Sequence, residues 1–137
     1  YEYESTPGSK SVMGWEGHGS GSVTIDPDGS LLYFKETGRF TLTGNGYQMR
    51  TQNEFIWEQL SDTRIKLRHS RLGRDNQVEL FDLVYNRPAD QWLSESAHVC
   101  GEDLYSGKAE SIADQIHFLW TISGPRKQEN LHYCYAR

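Results

Sequence analysis

Side chains able to take part in acid–base chemistry are concentrated in a short stretch of the C-terminal half, which contains His98, Cys100, Asp103 and Tyr105. An imidazole accepts a proton near neutral pH, a nearby carboxylate fixes its tautomer and raises its basicity, and a phenol polarises a carbonyl or enolate oxygen. We therefore predict His98, Asp103 and Tyr105 as catalytic residues. Cys100 shares a strand face with His98 and is predicted to bind ligand. The alternative is a structural corner in which His98 bonds to Asp103 and Gly101 permits the bend.

A second candidate group follows a predicted strand, where Trp120 is succeeded by a Gly-Pro turn and two cations, Arg126 and Lys127. A cation at the open end of a barrel would pair with an anionic ligand through charge-assisted hydrogen bonds. Trp120 and Lys127 are therefore predicted to bind ligand. The alternative is a solvated turn, because Arg and Lys beside Gly-Pro are normally exposed.

Aromatic and acidic residues within strands are further candidates. Aromatic rings stack on flat ligands and offer hydroxyl groups to them, and an acid that faces inward would have a raised pKa suited to general acid or base work. The predicted ligand-binding residues of this kind are Tyr33, Glu36, Trp57, Asp82 and Tyr135. The alternatives are core packing for the aromatic residues and a solvent-facing position for the acids.

Metal ligation is not predicted. The remaining histidines are His18, His69, His117 and His132, and none has a histidine partner two residues away on its strand, as a strand metal site would usually show. We therefore predict no metal site and no cofactor.

The two cysteines, Cys100 and Cys134, each lie within an apparent strand and outside any CxxC or Cys/His metal spacing. Free, buried thiols are expected. A disulfide remains open if the strands that hold them are neighbours, and it would indicate an oxidising compartment.

The elements that must position these residues are short β-prone runs separated by turns. Residues 22–25 stop at Asp-Pro-Asp-Gly and residues 31–34 resume, and the run Arg64–His69 alternates charged with apolar or polar residues. Roughly nine such runs with short connections favour pairing between neighbours in sequence. The sequence therefore predicts an all-β fold, an antiparallel up-and-down meander that closes into a barrel of about eight to ten strands and so hides its edges.

The domain organisation follows from length and composition. A chain of 137 residues fits one domain. Residues 1–12 combine Ser, Pro, Gly and charge without periodicity, and are predicted to form an N-terminal tail or a segment across a barrel end. Residues 13–137 are predicted to form a single barrel domain.

Charge and hydropathy restrict the partners. The net charge of −5 and the absence of a long Lys/Arg run argue against nucleic acid, and no apolar run approaches the roughly 18 residues of a membrane span. The expected partner is a small organic molecule, aromatic or anionic, and the expected location is the cytoplasm. The oligomeric state is left open.

Three motifs in the last third carry a family resemblance: Ala97-His98-Val99-Cys100-x-x-Asp103-x-Tyr105-x-Gly107, Trp120-x-Ile122-x-Gly124-Pro125-x-Lys127 and Tyr133-x-Tyr135-x-Arg137. Together they resemble a poorly characterised family of small lipocalin-like, or calycin-like, β-barrel domains of unknown function. The resemblance implies a barrel and no settled activity. It also leads us to expect a histidine where this chain has Asp82, and a carboxylate titrates far below an imidazole.

Three functions fit these observations. The first is a barrel that binds a small molecule in an aromatic-lined internal cavity. The second is a cofactor-independent isomerase, lyase or cyclase that uses acid–base residues in the same cavity. The third is a protein-interaction module with a filled barrel and an exposed strand edge.

Overall fold

The computed structural model of the protein describes residues 1–12 and 14–137 and is built from eleven strands. The strands are β1 Glu2–Pro7, β2 Gly17–Asp28, β3 Leu31–Leu42, β4 Gln48–Ser61, β5 Arg64–His69, β6 Val78–Asn86, β7 Gln91–Ser94, β8 His98–Cys100, β9 Asp103–Ile112, β10 Gln115–Ser123 and β11 Gln128–Tyr135. A single 3-10 turn, Arg87–Ala89, connects β6 to β7. No helix among the described residues is long and apolar enough to span a membrane.

Ten of the strands form a closed ring. Each pairs antiparallel with its neighbours, from β10 through β11 and β1 to β7 and β9, and the pairing of β9 with β10 closes the ring. The predicted all-β fold, the antiparallel meander and the barrel closure are confirmed, and the ring has the predicted number of strands. β8 is additional and pairs with β9 alone among the described strands.

The N-terminal segment contributes to the barrel wall, which corrects the prediction of a tail or a barrel-end segment. β1 pairs with β11 on one side and with β2 on the other. Its side chains alternate, with Tyr3 and Ser5 buried and Glu2 and Glu4 exposed. Tyr3 stacks on Tyr133 with a ring-centroid distance of 4.4 Å. The predicted domain boundary at residue 13 lies outside the described residues.

An aromatic core fills most of the barrel interior. Phe55 stacks on Trp120 at 5.6 Å, and Trp57 meets Phe118 edge-on at 5.7 Å. The inner face of the first half of β2 has glycines at positions 17, 19 and 21, and a Cβ built on Gly19 would lie 2.0 Å from the Tyr3 ring. The glycine face of β2 therefore gives the large rings of its neighbours the space that they occupy.

The wall contains a gap beside β8. β6 pairs with β7 only from Leu83 onward, and the last backbone hydrogen bond before the gap runs from Glu95 N–H to Asp82 O at 2.9 Å. No described ladder joins residues 78–81 to β8. We refer to this place, between residues 78–81 and β8, as the wall gap.

Both cysteines are free thiols, and the strands that hold them, β8 and β11, are not neighbours. The expected burial is corrected for Cys100, which is exposed, whereas Cys134 is partly buried. The exposure of Cys100 follows from its position at the end of β8, next to the wall gap and the turn at Gly101.

Candidate functional site

A cavity of about 240 Å³ lies in the barrel interior beside the wall gap. Aromatic side chains form part of its lining, with Phe55, Trp120 and Tyr133 among them. The volume corresponds to about eight water molecules at about 30 Å³ each. A compact ligand, not a long lipid, matches this space.

The structure brings two of the predicted catalytic residues together in this cavity. His98 and Tyr105 are directly opposite each other in the β8–β9 ladder, and their rings meet edge-on with a centroid distance of 6.4 Å. Both line the cavity, as do the predicted ligand-binding residues Cys100 and Trp120. A phenol, an imidazole and a thiol therefore share one end of the cavity.

Asp103 does not join them, which corrects the prediction of an acid–imidazole pair. Its carboxylate packs against Gly124, where an added Cβ would lie 2.0 Å from Asp103 Oδ1. Within the described residues it makes no hydrogen bond to His98, so the alternative corner held by that bond is not formed either. Gly101 does provide the bend, because its φ of +64° is left-handed.

His69 is a cavity residue that the sequence reasoning missed. Its Nδ1 accepts a hydrogen bond of 3.3 Å from the backbone N–H of Arg71, so the neutral ring carries its proton on Nε2. Burial, and then the charges of Arg71 and His98, lower the pKa of His69. Strand alternation could have found it, because Ile65 and Leu67 point inward and His69 continues that face.

Arg71 and Cys100 are the exposed residues of the described cavity lining, and we call the open side that they mark the cavity mouth. Arg71 makes no ion pair with any described residue. Glu54 also lines the cavity, but its carboxylate is held by Arg74 at 2.9 and 3.0 Å and by the Ser70 hydroxyl at 2.6 Å. The hydrogen bonds from Arg74 are the main reason that the pKa of Glu54 is lowered.

Lys127, predicted from the sequence to bind ligand, is not among the described residues that line the cavity. Its Nζ is 5.8 Å from the centroid of the Tyr105 ring. It also borders an outer groove of about 670 Å³ that shares Cys100 with the cavity and contains Glu102 and Asp103. Both carboxylates line the groove and not the cavity. Arg71 lines the cavity itself and is therefore the cation most directly associated with it.

A separate polar pair occupies the barrel interior away from this cavity. Glu36 is 1 % exposed, and the Tyr135 hydroxyl donates to its Oε1 at 2.5 Å. Burial raises the pKa of Glu36 against the opposing hydrogen bonds from Tyr135 and Asn53. Burial also raises the pKa of the nearby Tyr3 to about 12. Glu36 and Tyr135 thus face inward, but they contact each other instead of lining the cavity.

Trp57 is also interior without lining the cavity. It packs against Phe34 and Phe118, and its buried indole N–H has no hydrogen-bond partner among the described residues. Its position agrees with the core-packing alternative.

Two predicted ligand-binding residues lie on the outer face of the barrel, which corrects their assignment. Tyr33 lies beneath the Arg74 guanidinium, whose central carbon is 3.8 Å from the ring centroid. Asp82 forms an ion pair of 2.9 Å with Arg64. The reason is strand alternation, because the neighbouring Phe34 and Phe81 take the inward positions.

The comparisons with known proteins give a family without an activity. A protein-family model described as "Family of unknown function (DUF6314)" matches residues 9–137. No curated protein and no solved structure matches the chain.

Proposed function

The chain belongs to the DUF6314 family, and we propose that it is a small-molecule-binding β-barrel whose ligand is a compact aromatic compound with an anionic group. The observation that carries this proposal is one cavity that combines aromatic walls with the donor Arg71 at its mouth and His69 beside it. Ligand sites in proteins characteristically have this composition, an apolar lining with a few convergent polar groups.

The size and lining of the cavity support a single-ring ligand. About eight water volumes accommodate roughly ten non-hydrogen atoms. Phe55 and Trp120 stack on each other and offer an aromatic surface to a flat molecule. Burial of such a ring removes apolar surface from water, which favours binding by about 25 cal/mol per Å² before the costs of association are subtracted.

The polar groups at the mouth support a negative charge on the ligand. The His69 Nε2–H and the Arg71 guanidinium are donors, and the one acidic residue of the lining, Glu54, is already held by Arg74. A carboxylate at this end would receive charge-assisted hydrogen bonds, worth about 1.5–3 kcal/mol each.

Binding of benzoate, phenylacetate and salicylate, with benzyl alcohol as the neutral comparison, tests this proposal. We expect the acids to quench Trp fluorescence saturably and to bind more tightly than the alcohol. Arg71→Gln should weaken acid binding by roughly tenfold or more, because it removes a charged donor. The control Arg87→Gln, in the 3-10 turn, should bind as the wild type does. Equal binding of acid and alcohol, or an unchanged affinity in Arg71→Gln, would contradict the anionic ligand.

A second candidate function is acid–base catalysis in the same cavity, as an isomerase, lyase or cyclase. The specific observation that favours it is the meeting of His69, His98 and Tyr105 around one small volume. In the same titrations, each compound that binds is incubated and examined for products by NMR. Turnover that is lost in His98→Ala and in Tyr105→Phe, with binding retained, would support an enzyme. Binding without products would support the small-molecule-binding function. The absence of both binding and turnover would support the protein-interaction module.

A further inference from the structure

Two histidines meet on the outer wall of the barrel, on the face opposite to the interior. His117 on β10 and His132 on β11 are diagonal neighbours in the ladder, where His117 is opposite Cys134 and His132 is opposite Leu119. His117 Nδ1 and His132 Nε2 are 3.0 Å apart. The adjacent residues Phe118 and Tyr133 point into the core, so the two imidazoles belong to the outer face.

This separation matches two ligands of one metal ion. With Zn–N bonds of about 2.0–2.1 Å, nitrogens 3.0 Å apart subtend about 94° at the metal, and an ideal tetrahedral angle needs an opening of only about 0.3 Å. Both side chains are attached to paired strands, so the chelating geometry is largely preorganised. The hydrogen bond that now joins the rings requires one of them to donate, and a metal ion would take the place of that shared proton.

A carboxylate flanks each of the two histidines. Glu110 on β9 is directly opposite His117, and Glu4 on β1 is directly opposite His132. Neither carboxylate is hydrogen-bonded to a histidine among the described residues. Lys108 Nζ lies 3.8 Å from Glu110 Oε1 and partly offsets its charge, so Glu4 contributes most to lowering the electrostatic cost of bringing a divalent ion to this surface.

Cys134 is adjacent, but its thiol lies on the Nε2 side of the His117 ring and therefore does not complete a three-ligand site. Its Sγ is 4.0 Å from His117 Nε2, whereas Nδ1 is the nitrogen that faces His132, and the thiol contacts Gln115 Oε1 at 3.3 Å. Among the described residues no group of three or more His, Cys, Asp and Glu side chains could hold a metal ion. The two nitrogens must then carry the site, with water in the other positions.

We propose that His117 Nδ1 and His132 Nε2 form a two-histidine site for a divalent transition metal on the outer wall of the barrel, with Zn²⁺ as the ion that tests it. Imidazole nitrogen is a preferred ligand for Zn²⁺ and its neighbours in the first transition series. This site shares no residue with the cavity, so its test is independent of the proposed ligand-binding function.

The experiment is a titration of the tag-free, chelator-treated full chain with Zn²⁺, followed by calorimetry and by ¹⁵N NMR of the histidine rings. We expect one saturable site per chain, with the largest shifts at His117 Nδ1 and His132 Nε2. His117→Ala and His132→Ala should each weaken binding by roughly tenfold or more. Zn²⁺ should raise the Tm of the wild type, because it binds the folded state, and should raise the Tm of either variant much less.

Two controls make the result decisive. His18→Ala changes a histidine on the same outer face but two strands from His132, and Cys134→Ser changes the adjacent thiol, so both should keep the wild-type affinity. The absence of saturable binding would overturn the proposal. So would binding that survives His132→Ala, or binding that is lost in Cys134→Ser, because either result would place the ion on other ligands.

Discussion

Glu36 brings an ionisable acid into the barrel interior, where the Tyr135 hydroxyl and a group of tyrosines surround it. A carboxylate loses hydration there, and burial is the main reason that its pKa is raised. The folded state therefore binds the proton of Glu36 more tightly than the unfolded state does. The contribution of this group to stability is fully present below its usual pKa of 4.5 and is lost as the pH rises through the folded-state value.

Glu36→Gln removes this titration and with it the contribution of Glu36 to the pH dependence of stability. We expect the free energy of unfolding of the wild type, relative to the variant, to decrease as the pH rises above 4.5, with a slope of at most about 1.4 kcal/mol per pH unit. Urea unfolding between pH 4 and pH 8 measures it. Glu102→Gln, at an exposed turn, is the matched control and should show no such trend. A difference that grows with pH would contradict the assignment.

At the residue scale, sequence reasoning located the site region but not its full membership. His98, Cys100 and Tyr105 were found because they alternate along adjacent strands that a short turn joins. Arg71 was missed because it follows β5 in a connection, where no periodicity indicates which way a side chain points. Asp103 was misassigned for a related reason, since its side chain packs on the distant Gly124 turn.

Among the elements, β9 contains a position with little room for a side chain. Gly107 faces the core between two rings, and an added Cβ would lie 2.7 Å from both Phe81 Cζ and Phe118 Cζ. Those rings belong to the buried aromatic cluster and have little space to retreat. A side chain at this position must therefore displace the core.

Gly107→Ala should lower the free energy of unfolding by about 1–3 kcal/mol, because overpacking of a filled core forces side chains off their preferred positions. Chemical denaturation measures the change. The matched control is Gly44→Ala, in a turn where an added Cβ meets nothing within 4 Å, and it should change stability by less than about 0.5 kcal/mol. Similar effects for both substitutions would show that β9 is less tightly packed than described.

Which side chains of a strand face inward was predictable wherever alternation along the strand is regular. Glu36 and Trp57 fall inside, and simple alternation from their neighbours also places Tyr33 and Asp82 outside. The exception is β6, where a register shift opposite Leu67 and Arg68 leaves Leu80 without a partner, so that both Leu80 and Phe81 contact the core. A bulge of this kind depends on pairing with the partner strand, which a single run of residues does not encode.

For the whole molecule, closure of the ring was predictable in principle, and the place of β1 in the ring was not. Short turns between β-prone runs favour a meander, and a meander of this length removes its edges by closing. β1 carries too few apolar residues to be recognised as a strand, and only its position between β11 and β2 makes it one. The polar segment is stable there because glycines in β2 admit the Tyr3 ring.

Because of the wall gap, local opening of the barrel should be more frequent at β8 than in the long strands. β8 is held along one edge, whereas β3 and β4 are long strands paired along both edges. We expect amide hydrogens of residues 98–100 to exchange roughly tenfold or more faster than those in the middle of β3, measured by hydrogen–deuterium exchange. A bound acid in the cavity should slow exchange in β8 and leave β3 unchanged. Uniform protection around the ring would contradict this expectation.

The one-sided attachment of β8 also has an evolutionary consequence. Residues 96–102 can change in length or composition while the ten-strand ring keeps its own ladders, because among the described strands only β9 pairs with β8. The same residues border the cavity mouth. Selection on a new ligand can therefore alter His98 and Cys100 without disturbing the ring, and exchanging this hairpin between related barrels would transfer that part of the binding preference.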